Sequence, residues 1–545
     1  MKPTMIKSAF LKTKVLLPAM VVAALVATAH AAAPGITGPT FNLTAQAASI
    51  TQPDGQAVYS WGYGCNGTPA GFAVYLGGVT MPNQNCNSMQ IPGPTLIVNE
   101  GDTVKVTLTN SLPAGAGNTS ILFPGFQVTA TGGVPGLLAQ EAQHNGSVTY
   151  TFSASSPGTR SYYSGTQGDL QIEMGLYGAI IVLPKSVPAA CTSGIATTNG
   201  LAQTNWGEKD FRLAAAAYDH AKSCYDREYL FQFSEMDPRI HHQAQDQAAA
   251  TGSCTAPGGC LNVATEPYHP AYFMINGRSM PDDMDPNYAP EYPHQPYNGN
   301  PHMHPGEQVL LRIIGQGRWQ HPFHEHANHV RILARDGNLI LSATDSSKLA
   351  GPAFFTTTTT PGQAMDGIFY YTGRGLNWDM YGHNPKSSDP NANSTETCAP
   401  DANGYNTLGS AYKQINYYEW CADHNKPLQA MPFGDVAAGG PVALPDPNIL
   451  TNGAWFGGSP YLGPDATTRA TFGTCSGQSN ATSCSTTGTT PPSGTVANNP
   501  SSEAGFAFMW HSHNEREITT NNIFPGGMMM MMLVDSREFV IDESN

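Results

Sequence analysis

The sequence predicts an all-β chain built as two tandem Greek-key β-sandwiches with long loop insertions. Three observations carry this: apolar and polar residues alternate in short runs, helical periodicity is scarce, and one order of strand-like segments occurs twice. Composition agrees. Charged residues make up 12% of the chain against a usual ~25%, and Gly, Pro, Ser, Thr and Asn fill the difference, as turns and loops require.

At the N-terminus, Lys2, Lys7, Lys12 and Lys14 precede the apolar run Val15–Ala29 and then Ala29-His30-Ala31. This reads as a secretory signal peptide over residues 1–31, cut after Ala31. Pro18 and the short run argue against a membrane anchor, and no later stretch approaches the roughly 18 apolar residues of a spanning helix. An exported protein, periplasmic or extracellular, is expected. The formal charge of -15, with no basic block, makes nucleic acid and anionic lipid poor partners. Ten cysteines in an exported chain read first as disulfides. Nearest-neighbour pairing would give Cys65–Cys86, Cys191–Cys224, Cys254–Cys260, Cys398–Cys421 and Cys475–Cys484, although connectivity cannot be derived from sequence.

The first domain is expected over residues 33–188. Its segments are "GPTLIVNEGDTVKVTLTN" (Gly93 to Asn110), "SILFPG" (Ser120 to Gly125), "PGTRSYYSG" (Pro157 to Gly165) and "GLYGAIIVLP" (Gly175 to Pro184). A cysteine-bearing linker, 189–225, leads to a second domain over 226–537, opening at "DREYLFQFSEMD". There the programme recurs as "HPGEQVLLRIIGQG" (His304 to Gly317), "HPFHEHANHVRIL" (His321 to Leu333), "FMWHSHNERE" (Phe508 to Glu517) and "GGMMMMMLV" (Gly526 to Val534). The stretch 375–502, rich in Asn, Gly, Ser, Thr and Pro, reads as a loop-like insertion, with a small extra subdomain as the alternative.

Two His-x-His pairs stand out. A strand turns alternate side chains to opposite faces, so His324 with His326, and His511 with His513, each present two imidazoles on one side. On adjacent strands the pairs would face each other as a metal site, and imidazole suits copper, zinc, iron or nickel. The plainer reading is a chance grouping of core or surface histidines.

These motifs in this order resemble the multicopper oxidases, the laccase-like family of cupredoxin fold. "PGPTLIVNEGDTVKVTLTN" is similar to the opening of their first domain and "GLYGAIIV" to its close; "HPFHEH" and "WHSH" are similar to their second pair of copper motifs. The resemblance implies tandem cupredoxin-like sandwiches, and a single duplication is closest to the two-domain members. Those assemble as trimers, which makes a homotrimer an expectation. The chain departs from the pattern in four places. Leu122-Phe123-Pro124-Gly125 stands where the family has His-Trp-His-Gly, and Tyr163-Ser164-Gly165 where it has His-Ser-His. Ser512 replaces the cysteine between two histidines, and Glu517 takes the usual place of the next histidine.

The resemblance therefore implies copper at His324, His326, His511 and His513, with zinc left open, and His321 as the one surviving ligand of a mononuclear site. A serine hydroxyl cannot replace a soft thiolate, so no blue copper centre is expected. The leading expectation is a copper-dependent oxidoreductase whose small-molecule or metal-ion substrate meets the metal directly. A non-catalytic copper-sequestering protein and a structural extracellular protein with relic sites are the alternatives. Elsewhere the bland readings lead: His329 as a strand histidine, His302 to His304 as plain loop, Met528 to Met532 as core, and Tyr162, Tyr163 and Asp169 as space-filling. Glu325, Glu515 and Glu517 are expected to be solvated or salt-bridged.

Overall fold

In the computed structural model, residues 32–192, 209–304, 306–371, 401–402, 459–461, 505–535 and 541 are described. The signal-peptide segment, most of the 375–502 insertion and the four cysteines Cys398, Cys421, Cys475 and Cys484 lie outside them. The other three expected disulfides, Cys65–Cys86, Cys191–Cys224 and Cys254–Cys260, are formed.

The strands make two β-sandwiches, as the alternation predicts. In the first, a five-stranded sheet runs in the order 57–65, 40–51, 103–110, 147–153, 129–132, and a four-stranded sheet in the order 36–37, 96–99, 177–183, 158–163. Strands far apart in sequence lie parallel, 40–51 beside 103–110 and 96–99 beside 177–183, so the chain crosses repeatedly between the sheets in Greek-key fashion. Every second residue faces inward: Val104, Val106 and Leu108 meet Leu96, Val98, Ile180 and Val182 in one core.

The second sandwich repeats this plan. Its seven-stranded sheet contains, in order, 272–275, 227–236, 308–315, 364–370 and 330–335; its partner sheet contains 302–303, 529–535, 505–512, 321–325 and 356–359. The larger sheet repeats the order and the parallel and antiparallel pairing of the first sandwich's five strands, and adds 338–339 and 353–354 at its edge. Tyr229, Phe231, Val309, Leu311 and Phe369 pack against Phe323, Phe508, Trp510 and Met530 between the layers. Met528, Met530 and Met532 are all wholly buried there, so the methionine run is core. The inner sheets of the two sandwiches also meet, through Ile97, Ala179 and Ile181 on one side and Leu230, Ile314 and Ala364 on the other.

Three segments differ from expectation. Gly93–Asn110 is two strands in opposite sheets, Leu96–Asn99 and Thr103–Asn110, because the chain turns at Glu100-Gly101-Asp102. Pro238–Ala250 is a helix; Asp237 caps it by accepting from the Arg239 N–H, and Pro238 opens it. His302–Met303 is a short strand paired with Leu533–Val534 rather than loop. Both flanking histidines are buried: His302 Nδ1 stands 2.6 Å from Asp535 Oδ2, and His304 Nδ1 3.2 Å from the Asp535 carbonyl.

Candidate metal centre

The site is built on two neighbouring antiparallel strands. His321–Glu325 pairs with Gly505–Ser512 in a register that puts His324 directly opposite His511. Directly paired residues share a face, and so do residues two apart, so His324, His326, His511 and His513 all project from one side. Phe323, Glu325, Trp510 and Ser512 take the other side and are buried in the second sandwich. The Trp510 indole N–H donates to the His326 carbonyl at 3.0 Å, fixing the strand at its end.

The four rings converge. Centroid separations are 4.9 Å for His324–His326 and for His324–His513, 5.6 Å for His324–His511, 5.2 Å for His326–His511 and 5.5 Å for His511–His513. His511 Nε2 lies 3.3 Å from His326 Nε2. Two nitrogens held by one tetrahedral ion through bonds of about 2.0–2.1 Å stand about 3.3–3.4 Å apart. Among the described residues, no group of three or more His, Cys, Asp or Glu is already drawn in around a point as metal ligands would be.

The far nitrogens are partly committed. His511 Nδ1 donates to the Ser512 carbonyl at 2.7 Å, which leaves Nε2 as a bare acceptor, and His324 Nδ1 is 2.9 Å from Thr356 Oγ1. Burial, then repulsion from the neighbouring imidazoles, lowers His324 and His326 to about 4; His511 is lowered too, by burial first. These three rings are therefore neutral near pH 7, the form that ligates a metal. His513 is exposed and opens the cluster to solvent. Beside it, the half-exposed Phe355 ring sits 5.7 Å from His324 and 5.2 Å from His329. His329 in turn lines a cleft of about 870 Å³ with Asn328, Lys222 and Arg331.

His321 does not join the cluster. Three residues before His324, it lies on the opposite face of the strand and is fully buried. Its Nε2 meets Glu235 Oε2 at 2.9 Å and its Nδ1 meets Glu517 Oε2 at 2.8 Å. With both nitrogens engaged by carboxylates it has no lone pair for a metal, so the expectation that it is a ligand is corrected. Glu325 is buried too, accepts from Thr357 Oγ1 at 2.6 Å, and is pushed up to about 8 by burial; it is neither solvated nor salt-bridged. Tyr162 fills core space, its hydroxyl donating to the Pro94 carbonyl at 2.7 Å, while Asp169 accepts from Thr265 Oγ1 at 2.9 Å.

The first sandwich shows what its copy of this site has become. Leu122 bridges Tyr163 at the place where His324 pairs with His511. Leu122 brings no nitrogen to that place, and with Phe123 and Pro124 it borders a cavity of about 480 Å³.

Fold and site together define a tandem cupredoxin-like protein. Residues 74–187, in the first sandwich, match the sequence profile of the family described as multicopper oxidase, which agrees with the resemblance read from the first-domain motifs. It is 37% identical over 107 residues to a multicopper oxidase of Talaromyces pinophilus, which covers 19% of this chain and 17% of that one. It is 38% identical over 99 residues to laccase 1 of Metarhizium acridum, covering 18% and 15% respectively. The chain thus matches less than a fifth of the length of these relatives. Among solved structures, a blue copper oxidase from Nitrosomonas europaea aligns over 91% of this chain and 85% of its own, at 14% identity and a TM-score of 0.41.

Proposed function

We propose that this chain is an exported copper-binding oxidoreductase of the multicopper oxidase type that works without a thiolate copper site. The observation that carries this is the convergence of four imidazoles on one sheet face, with His511 Nε2 and His326 Nε2 3.3 Å apart. His324, His326, His511 and His513 would hold the copper, which would supply a one-electron redox centre. The protein's own contribution is orientation: Thr356 and the Ser512 carbonyl fix the rings, and burial keeps them neutral. The open side at His513 and Phe355 gives a small molecule or metal ion direct access. A homotrimer, which the resemblance to two-domain members implies, belongs to this reading. Export rests on the N-terminal lysines and apolar run, together with the disulfides; no helix among the described residues is long and apolar enough to cross a membrane.

Metal analysis with electron paramagnetic resonance tests the reading. Copper in an all-nitrogen environment, lost in both His511→Ala and His326→Ala, is the expected result, with no intense absorption near roughly 600 nm. Zinc, or no metal, would overturn it. Ser512, which removes the sulfur link, supports a second reading: copper sequestration without catalysis. Turnover of a phenolic or metal-ion substrate that His511→Ala abolishes separates the two.

A further inference from the structure

Beneath the histidine cluster, on the buried side of the same two strands, lies a hydrogen-bonded chain that the copper reading does not use. Glu235 comes from the strand Arg227–Met236, His321 from His321–Glu325 and Glu517 from the 3-10 turn Glu515–Ile518. The imidazole sits between the two carboxylates at 2.9 and 2.8 Å. Glu517 Oε2 also accepts from Ser512 Oγ at 2.5 Å, and its Oε1 accepts from Asn514 Nδ2 at 2.9 Å. Glu235 Oε1 accepts from the N–H groups of Arg318 and Trp319 at 2.7 and 2.8 Å and stands 3.2 Å from the Tyr268 hydroxyl. Tyr268 donates to Glu173 of the first sandwich at 2.6 Å, and the Arg318 guanidinium lies 4.1 Å above its ring.

The first sandwich holds a neutral counterpart. Ser164 Oγ and Thr119 Oγ1 both donate to Gln171 Oε1, at 2.6 and 2.9 Å. Ser164 follows Tyr163 as Ser512 follows His511, and Thr119 precedes Leu122 by three as His321 precedes His324. A neutral trio is therefore enough to seat this corner of the fold, and the charge in the second sandwich needs another reason.

We propose that Glu235–His321–Glu517 is a proton-loaded clasp: the buried imidazolium is the resident cation of this pocket, takes no metal, and pins the segment 512–517 that carries His513. The two carboxylates hold the ring in its charged form to about pH 9 against the cost of burying it. A pKa raised above the ordinary 6.5 gives stabilisation that is complete below about 6.5 and is lost as pH rises through about 9. Glu173, raised to about 8 by burial, acts in the same direction. Once the proton leaves, Glu235 and Glu517 face each other without a counterion, and the 3-10 turn lets go. Gly527 packs its backbone (φ 67°) directly on this turn, where a Cβ would lie 2.3 Å from the Glu517 backbone carbonyl.

That segment 512–517 positions a copper ligand rests on the proposed function; the clasp itself does not, and its test uses metal-free protein. Nitrogen-15 NMR of the histidine rings, with His321→Asn for assignment, should give a His321 midpoint near 9, and Glu517→Gln should lower it by at least one unit. Amide exchange of residues 512–518, corrected for its intrinsic pH dependence, should accelerate between pH 8 and 10 in the natural protein. In His321→Thr with Glu517→Gln, which brings in the first sandwich's Thr and Gln, that acceleration should be smaller. A His321 midpoint at its ordinary value, no effect of Glu517→Gln, or pH-independent exchange of 512–518 in the natural protein would each overturn the proposal. Should the double variant fail to fold, the single Glu517→Gln arm still decides.

Discussion

His324 and Thr356 illustrate what a single contact does at this site. The hydroxyl at 2.9 Å engages Nδ1 and leaves Nε2 for a metal, in a ring 4.9 Å from His326 and 5.6 Å from His511. Outer partners of this kind typically change metal affinity about 10–100-fold when removed. Thr356→Val should therefore weaken copper binding by about that factor in a chelator competition; unchanged affinity would mean that the ring is held by packing against Phe355 alone. The acid limb has its own sign. His324 and His326 are lowered to about 4, so between about 6.5 and 4 the unfolded chain takes protons that the folded cluster refuses. Metal-free protein should lose stability as pH falls through that window, and His324→Gln should flatten the loss in urea titrations run at several pH values.

The strands 321–325 and 505–512 carry two functions because their faces differ. His324 and His511 project toward the ligand site, whereas Phe323 and Trp510 pack edge to face, 6.2 Å apart, in the core. Phe323 also lies 4.6 Å from Phe233. Phe323→Ala should cost about 3–5 kcal/mol by opening a cavity beneath the site, seen as a lower urea midpoint, and should release copper through disorder of the strand rather than loss of a ligand. The alternation was readable in the sequence, and with it the four imidazoles on one side. The fate of His321 was not. Its partners lie 86 and 196 residues away, and periodicity says only that it faces the core, not that two glutamates meet it there. The helix Pro238–Ala250 was missed although Asp237-Pro238 announces it, because a 13-residue helix among strands leaves little periodic signal.

Across the whole molecule, the inner sheets join through polar contacts as well as apolar ones. Arg312, fully buried, reaches Glu228 at 2.8 Å and donates to Thr159 Oγ1 of the first sandwich at 3.0 Å, with Asp366 at 3.8 Å. Arg312→Met would strand Glu228 without its cation and should cost about 3–5 kcal/mol. Calorimetry should show the first sandwich unfolding apart from the second; a single transition at the natural temperature would show that the apolar contacts around Ile97 and Ile314 suffice.

The sequence by itself determined the class of the fold, the duplication and the shared face of the four histidines. All of these follow from local alternation and the order of motifs along the chain, which pleat geometry converts directly into direction. It also determined that sulfur is missing at position 512. Only the tertiary structure decided that His321 sits between Glu235 and Glu517 on the face away from the other four histidines, and that Glu325 is buried without a counter-charge. The reason is physical: a side chain's charge and role are set by what surrounds it in space, and those neighbours come from strands that only folding brings together.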